Sequence, residues 1–115
     1  MSETEISHQI KKAIEKAYPE IRFTRHHCGL AKGWHGGLIK LGDAGWPDYI
    51  GYLPDGRFIG IEIKDPSGRT AKQREQAQGE RLNDISHCGG IGLKVSSVEE
   101  ALEKIKPIME SIPGN

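Results

Sequence analysis

Three side chains in the middle of this 115-residue chain could do chemistry together: Asp48, Glu62 and Lys64. Residues 58–64 alternate, with Ile59, Ile61 and Ile63 on one face of a strand and Phe58, Gly60, Glu62 and Lys64 on the other. The isoleucine face suits a core. The other face carries a carboxylate and an ammonium two residues apart, roughly 6.6–6.8 Å along a strand. Carboxylate oxygens are the ligands a hard cation takes, and Mg²⁺ is commonly held by one or two of them together with water and substrate phosphate. A lysine beside such a site can orient a water or stabilise negative charge on a phosphate.

Whether Asp48 joins this pair depends on the turn between the strands. Residues 48–53 read as the preceding strand, broken by Pro54-Asp55-Gly56. Proline suits the first position of a type I turn, aspartate the second, and glycine the left-handed third. This is the three-residue hairpin loop with a glycine bulge. It predicts Leu53 opposite Arg57, and therefore Asp48 opposite Glu62 on one face. A two-residue loop would set Asp48 against Ile63, on the wrong face.

The remaining elements must carry these strands. Residues 3–17 read as an amphipathic helix with Ile6, Ile10, Ala13, Ile14 and Ala17 at helical spacing, a Ser2/Glu5 capping box and Pro19 beyond its end. Residues 21–28 read as a strand. The glycine-rich stretch from Gly29 to Gly45 reads as a mobile loop with Trp34 at its tip and Trp46 at its exit. Thr70, with Gln73, opens a helix to about His87, residues 91–95 form a last strand, and Ser97 with Glu100 caps a final helix to about Ile108. The expected fold class is α/β, a mixed central sheet flanked by helices, in one domain spanning 1–115.

Charged residues make up 28% and hydrophobic ones 36%, the balance of an ordinary soluble domain. Lys+Arg and Asp+Glu both number 16, so any nucleic-acid surface must be a local patch. One such stretch exists. From Ile21 to Gly42 there is no acidic residue, while Arg22, Arg25, Lys32 and Lys40 are basic. It leads directly into Asp48 and is the expected DNA-contacting segment. Arg69, Lys72 and Arg74 form a second basic group. No run is apolar enough for a membrane span, and the N-terminus is unlike a secretory signal. Cys28 and Cys88 make no metal-type pair, and His27-Cys28 with His87-Cys88 match no compact zinc finger. A cytoplasmic protein with reduced thiols is expected.

Pro47-Asp48 followed, after a hairpin, by Glu62-Ile63-Lys64 resembles the PD-(D/E)XK nuclease motif. The continuation narrows the resemblance. Gly45-Trp46-Pro47-Asp48, the Pro54-Asp55-Gly56 turn, Glu62-Ile63-Lys64, Pro66, Gly68-Arg69, Gln73 and the closing Ser97-Val98-Glu99-Glu100-Ala101-Leu102 are similar to the virus-type replication-repair nuclease (VRR-NUC) domain, over nearly the whole chain.

That resemblance implies a restriction-endonuclease-like αβββαβ core with a C-terminal helix. It implies a metal-dependent DNA endonuclease in which Asp48, Glu62 and the main-chain carbonyl of Ile63 hold Mg²⁺, with Mn²⁺ able to substitute, and Lys64 orients the attacking water. It places a glutamate from the start of the first helix at the site, either Glu3, on the face of Ile6 and Ile10, or Glu5, which also serves as a cap partner. It places a glutamine near the site, Gln73 before Gln76. Hydrolysis in this superfamily leaves a 5′-phosphate and a 3′-hydroxyl. Stand-alone members resemble Holliday-junction resolvases, so a homodimer cutting four-way junctions is expected. Flaps, plain duplex or DNA binding without cleavage are the alternatives.

Overall fold

The computed structural model describes residues 3–26, 29–41, 45–64 and 72–114, and within these not the side chains of residues 3, 29–32 and 39–41. The elements are α1 (Glu3–Ala17), β1 (Arg22–Arg25), β2 (Gly29–Lys32), β3 (Leu38–Leu41), β4 (Tyr49–Tyr52), β5 (Phe58–Ile63), α2 (Lys72–His87), β6 (Ile91–Val95) and α3 (Val98–Glu110). Leaving aside β2 and β3, the order is αβββαβ followed by a C-terminal helix, the α/β class expected. The main sheet is mixed, in the order β1-β4-β5-β6. β1 and β5 both run antiparallel to β4, while β6 lies parallel to β5. Parallel neighbours need a crossover, and α2 supplies it.

The isoleucine face is the core. Ile59, Ile61, Ile63 and Val95 are buried with Ile10 and Ile14 of α1 and Ala101, Ile105 and Met109 of α3. α1 and α3 pack against each other over this face. Ala17, expected on the inward stripe of α1, is exposed at its end. α3 begins as expected, with the Ser97 hydroxyl accepting from the Glu100 N–H at 3.1 Å. Glu100 reaches back one residue further than a capping box requires, to the Ser96 N–H at 2.7 Å. That bond is the main reason its carboxyl lies below the ordinary range.

α2 covers the opposite face, and close approach is what lets it sit there. A Cβ at Gly92 would lie 2.7 Å from the Leu82 carbonyl oxygen of α2. One at Gly60 would lie 2.7 Å from Pro47 Cγ and 3.1 Å from Ile85 Cδ1. Both strands therefore need glycine where the helix and Pro47 press on the sheet.

Two expectations change. The stretch expected as a loop from Gly29 to Gly45 contains an antiparallel hairpin, β2 with β3, paired from Gly29↔Leu41 to Lys32↔Leu38. Its turn is closed by Gly33 N–H to Gly37 O at 2.7 Å. The glycines at the turn and base hide two short strands. The strand expected over 21–28 is shorter, ending at Arg25. The Thr70 cap lies outside the described residues. Among the described residues no helix is long and apolar enough to cross a membrane.

Candidate active site on the β4–β5 hairpin

The turn behaves as its residues require. Gly56 takes φ of +90°, and Leu53 N–H bonds the Arg57 carbonyl at 2.9 Å. Asp55 holds the turn through the Arg57 main-chain N–H at 3.1 Å and the Arg57 guanidinium at 2.7 Å, and its carboxyl is lowered mainly by the first of these. The register runs from Tyr52↔Phe58 to Tyr49↔Ile61. Continued one step beyond the paired residues, the same register would set Asp48 against Glu62, as the three-residue loop predicts. Leu53 and Arg57 are a hydrogen-bonded pair, so parity makes Asp48 and Glu62 a non-hydrogen-bonded one, the kind in which facing Cα atoms are about 4.5 Å apart.

Pro47 ends the ladder at that point. The register sets it against Ile63, and proline has no N–H to give the Ile63 carbonyl. The Ile63 N–H donates to Asp48 Oδ2 at 2.8 Å. Asp48 Oδ1 faces Arg25 Nη2 at 3.8 Å, and the Asp48 main-chain oxygen accepts from the His26 N–H at 2.7 Å. The Asp48 side chain is thus anchored at a strand entrance with 13% of its surface exposed.

Glu62 is 4% exposed. Its Oε1 accepts a hydrogen bond from Gln78 Nε2 at 2.8 Å. A buried carboxylate needs compensating polar contacts, and α2 brings one. Beside it in β6 stands Lys94, the register partner of Glu62. Lys64, one residue beyond β5, donates to Glu75 Oε1 of α2 at 2.6 Å, and Lys94 Nζ approaches the same oxygen at 3.5 Å. Glu75 raises the Lys64 ammonium above its ordinary value, and Lys64 in turn lowers Glu75. One level of the sheet thus carries Asp48, Glu62 and Lys94 in a row, with Lys64 and Glu75 at its end.

Gln78, not Gln73, is the glutamine that α2 delivers to Glu62; Gln73 is exposed. Gln76 bonds Glu80 on the exposed surface at 3.1 Å. Gln78 and Glu75 were legible in principle. Stepping back from Ile85 and Leu82 at helical spacing reaches Gln78 and then Glu75, the inward stripe of α2.

The side chain of Glu3 lies outside the described residues, and Glu5 is exposed. What α1 does bring inward is Ser7, buried and bonded to the Tyr49 hydroxyl at 2.7 Å, next in the chain to Asp48. Arg22 and Lys72 are exposed, and Arg25 is exposed beside Asp48 with its guanidinium over the Tyr49 ring at 5.6 Å. Lys32 and Lys40 belong to the hairpin, with side chains not described, and Arg69 lies outside the described residues. Trp46 is held by the Arg81 guanidinium, 4.4 Å from its ring centroid.

The donor set suits a hard cation: two carboxylates facing across a strand pair, and a main-chain carbonyl whose register partner is a proline. Among the described residues no group of three or more His, Cys, Asp or Glu is placed to hold a metal ion, and His27 and Cys28 lie outside those residues. No protein-family model, curated protein or solved structure matches this chain.

Proposed function

We propose that this chain is a metal-dependent deoxyribonuclease of the VRR-NUC kind, hydrolysing phosphodiester bonds at Asp48, Glu62 and Lys64. The hairpin register carries the reading: it is paired as far as Tyr49↔Ile61 and, continued by one residue, brings Asp48 to Glu62, with Lys64 two residues on. Ion pairs on strands are common; two carboxylates at one level of a sheet are a less usual pairing, and one that suits a bound cation.

Asp48, Glu62 and the Ile63 carbonyl would hold Mg²⁺ or Mn²⁺. The bound ion supplies Lewis acidity toward the phosphate and lowers the pKa of a water. The chain's own residues do the rest. The Ile63 N–H fixes the Asp48 carboxylate, and Gln78 fixes that of Glu62, so neither has to reorganise on binding. Lys64 keeps its proton, because Glu75 raises its ammonium, and so acts as an electrostatic donor to a phosphate oxygen.

The substrate proposed is branched DNA, a four-way junction cut by a homodimer with one site per strand. One small, net-neutral domain offers little footprint alone. A second reading is a DNA-binding module that does not cut. It is favoured by the Lys64–Glu75 pair, which occupies the ammonium at 2.6 Å.

The test compares wild type with Asp48→Ala and Lys64→Ala on a four-way junction, a flap and a linear duplex, in Mg²⁺, Mn²⁺ or EDTA. Paired nicks on the junction, dependent on metal and abolished by both substitutions, support the full reading. Cleavage of flap or duplex instead keeps the chemistry and discards the junction. Binding without metal-dependent cleavage leaves the module.

A further inference from the structure

Trp34 sits at the tip of the β2–β3 hairpin with 90% of its surface exposed. Tryptophan is among the side chains that gain most from burial, so so open a ring at a turn is unusual. The turn does nothing to cover it. Gly33, Gly36 and Gly37 surround it in sequence, and a Cβ at Gly36 or Gly37 would meet nothing within 4 Å. Among the described residues the ring against it is that of His35, its centroid 3.7 Å away and its plane tilted by 40°. Leu38, at the start of β3, is 73% exposed as well. A hairpin ladder thus presents an aromatic pair and a leucine to the surroundings.

The charge of this segment says what kind of partner fits. The whole chain is neutral, yet residues 21–42 contain no Asp or Glu and four Arg or Lys, of which Lys32 and Lys40 belong to the hairpin itself. The segment's positive charge suits a polyanion, while the ring suits a flat apolar face. A nucleobase in single-stranded DNA offers both. Within a continuous duplex each base is covered above and below by its neighbours. Base faces become available at single strands, ends and branch points.

We propose that the hairpin tip is a base-stacking platform on which Trp34, backed by His35, takes an unpaired DNA base. This rests on the DNA reading given above and extends it, because it names the feature that distinguishes branched or single-stranded DNA from plain duplex. A neutral domain has little backbone attraction to spend on discrimination. Stacking depends on an open base and tolerates any of the four, which gives recognition by structure instead of sequence.

The experiment measures binding, in EDTA so that no cleavage intervenes, to two DNA probes: a single-stranded oligonucleotide carrying 2-aminopurine and a blunt duplex of the same sequence. Wild type is compared with Trp34→Ala and Trp34→Phe. The open ring has no packing to lose, so the fold survives either change. The expected result is a 2-aminopurine fluorescence change on the single strand that Trp34→Ala removes. Affinity for that strand falls about tenfold or more, duplex affinity hardly changes, and Trp34→Phe retains much of the effect. Equal single-strand affinity for wild type and Trp34→Ala, with no fluorescence change, overturns the platform while leaving DNA binding standing. Binding of neither probe by wild type, in EDTA and again with Ca²⁺ added, overturns the DNA reading itself. A wild-type dimer that Trp34→Ala converts to monomer in sedimentation, with DNA affinity unchanged, assigns the tip to a second copy of the chain and also overturns the proposal.

Discussion

Asp48 Oδ2 accepts the Ile63 main-chain N–H at 2.8 Å, taking the place that a strand carbonyl would fill one residue earlier. Pro47, buried at the next register position, lacks the N–H that would bond the Ile63 carbonyl. The ladder ends there, and the bond from the Ile63 N–H fixes the Asp48 carboxylate. A side chain needed at a fixed place is thereby set by main-chain geometry instead of by loop packing.

Asp48→Ala should separate the structural and chemical roles of this residue. Loss of the bond to Ile63 is expected to cost about 1–3 kcal/mol, read from urea unfolding. Asp48→Asn can still accept from Ile63 and should cost less. Both should remove metal-dependent cleavage, and with it any stabilisation of the fold by Mg²⁺. Stabilisation of Asp48→Asn by Mg²⁺ equal to that of wild type would argue that the ion binds elsewhere.

Gln78→Leu tests the bond to the buried Glu62. It removes a 2.8 Å hydrogen bond from a nearly enclosed carboxylate and should destabilise by about 1–3 kcal/mol. Gln73→Leu, at an exposed position, should stay within about 0.5 kcal/mol. Equal effects of the two on thermal unfolding would refute the assignment of Gln78.

Gly60→Ala should be costly although it adds one methyl group. The new Cβ would lie 2.7 Å from Pro47 Cγ, a rigid ring, and 3.1 Å from Ile85 Cδ1. Overpacking of this kind costs about 1–3 kcal/mol. Because Pro47 adjoins Asp48, cleavage should fall more than the loss of folded protein accounts for. A folded Gly60→Ala with full activity would show that the site tolerates displacement of Pro47.

The Lys64–Glu75 pair sets a pH window. The Glu75 carboxyl is lowered by the hydrogen bond from Lys64, so its contribution is present above the ordinary glutamate value of 4.5 and lost as pH falls through the lowered one. The Lys64 ammonium is raised by Glu75, so its contribution is complete below the ordinary lysine value of 10.5 and lost as pH rises through the raised one. Between these limits the pair should add no slope to stability. Glu75→Gln should bring the Lys64 titration back down toward its ordinary value, followed by NMR of the lysine side-chain carbons. An unmoved titration would mean that Lys94 or solvent, not Glu75, governs Lys64. If Lys64 acts on a phosphate, Glu75→Gln should also change cleavage while Lys94→Ala changes it less.

Much of this was legible from residue order. The alternation of Ile59, Ile61 and Ile63 marked a core strand, and all three are buried. Pro54-Asp55-Gly56 determined the turn, and a turn of known length determines register, so Asp48 opposite Glu62 needed no tertiary information. Ser97 marked the start of α3 because a cap bonds only to its own next turn. These are local rules, satisfied within a few residues.

What the sequence could not decide depended on which distant surfaces meet. Glu62 reads as a residue on a polar strand face, and only the packing of α2 through Gly60 and Gly92 buries it. Helical spacing puts Gln78 on the inward stripe of α2, but only the packing of that helix on β5 brings it to Glu62. The β2–β3 hairpin was hidden because the glycines at its base and turn carry no side-chain signal. The partners of Lys64 and Lys94 were settled by β6 lying parallel beside β5, a crossover that brings Glu75 over both. Local chemistry chose the strands and their register; long-range packing chose which charges those strands would bury and which they would pair.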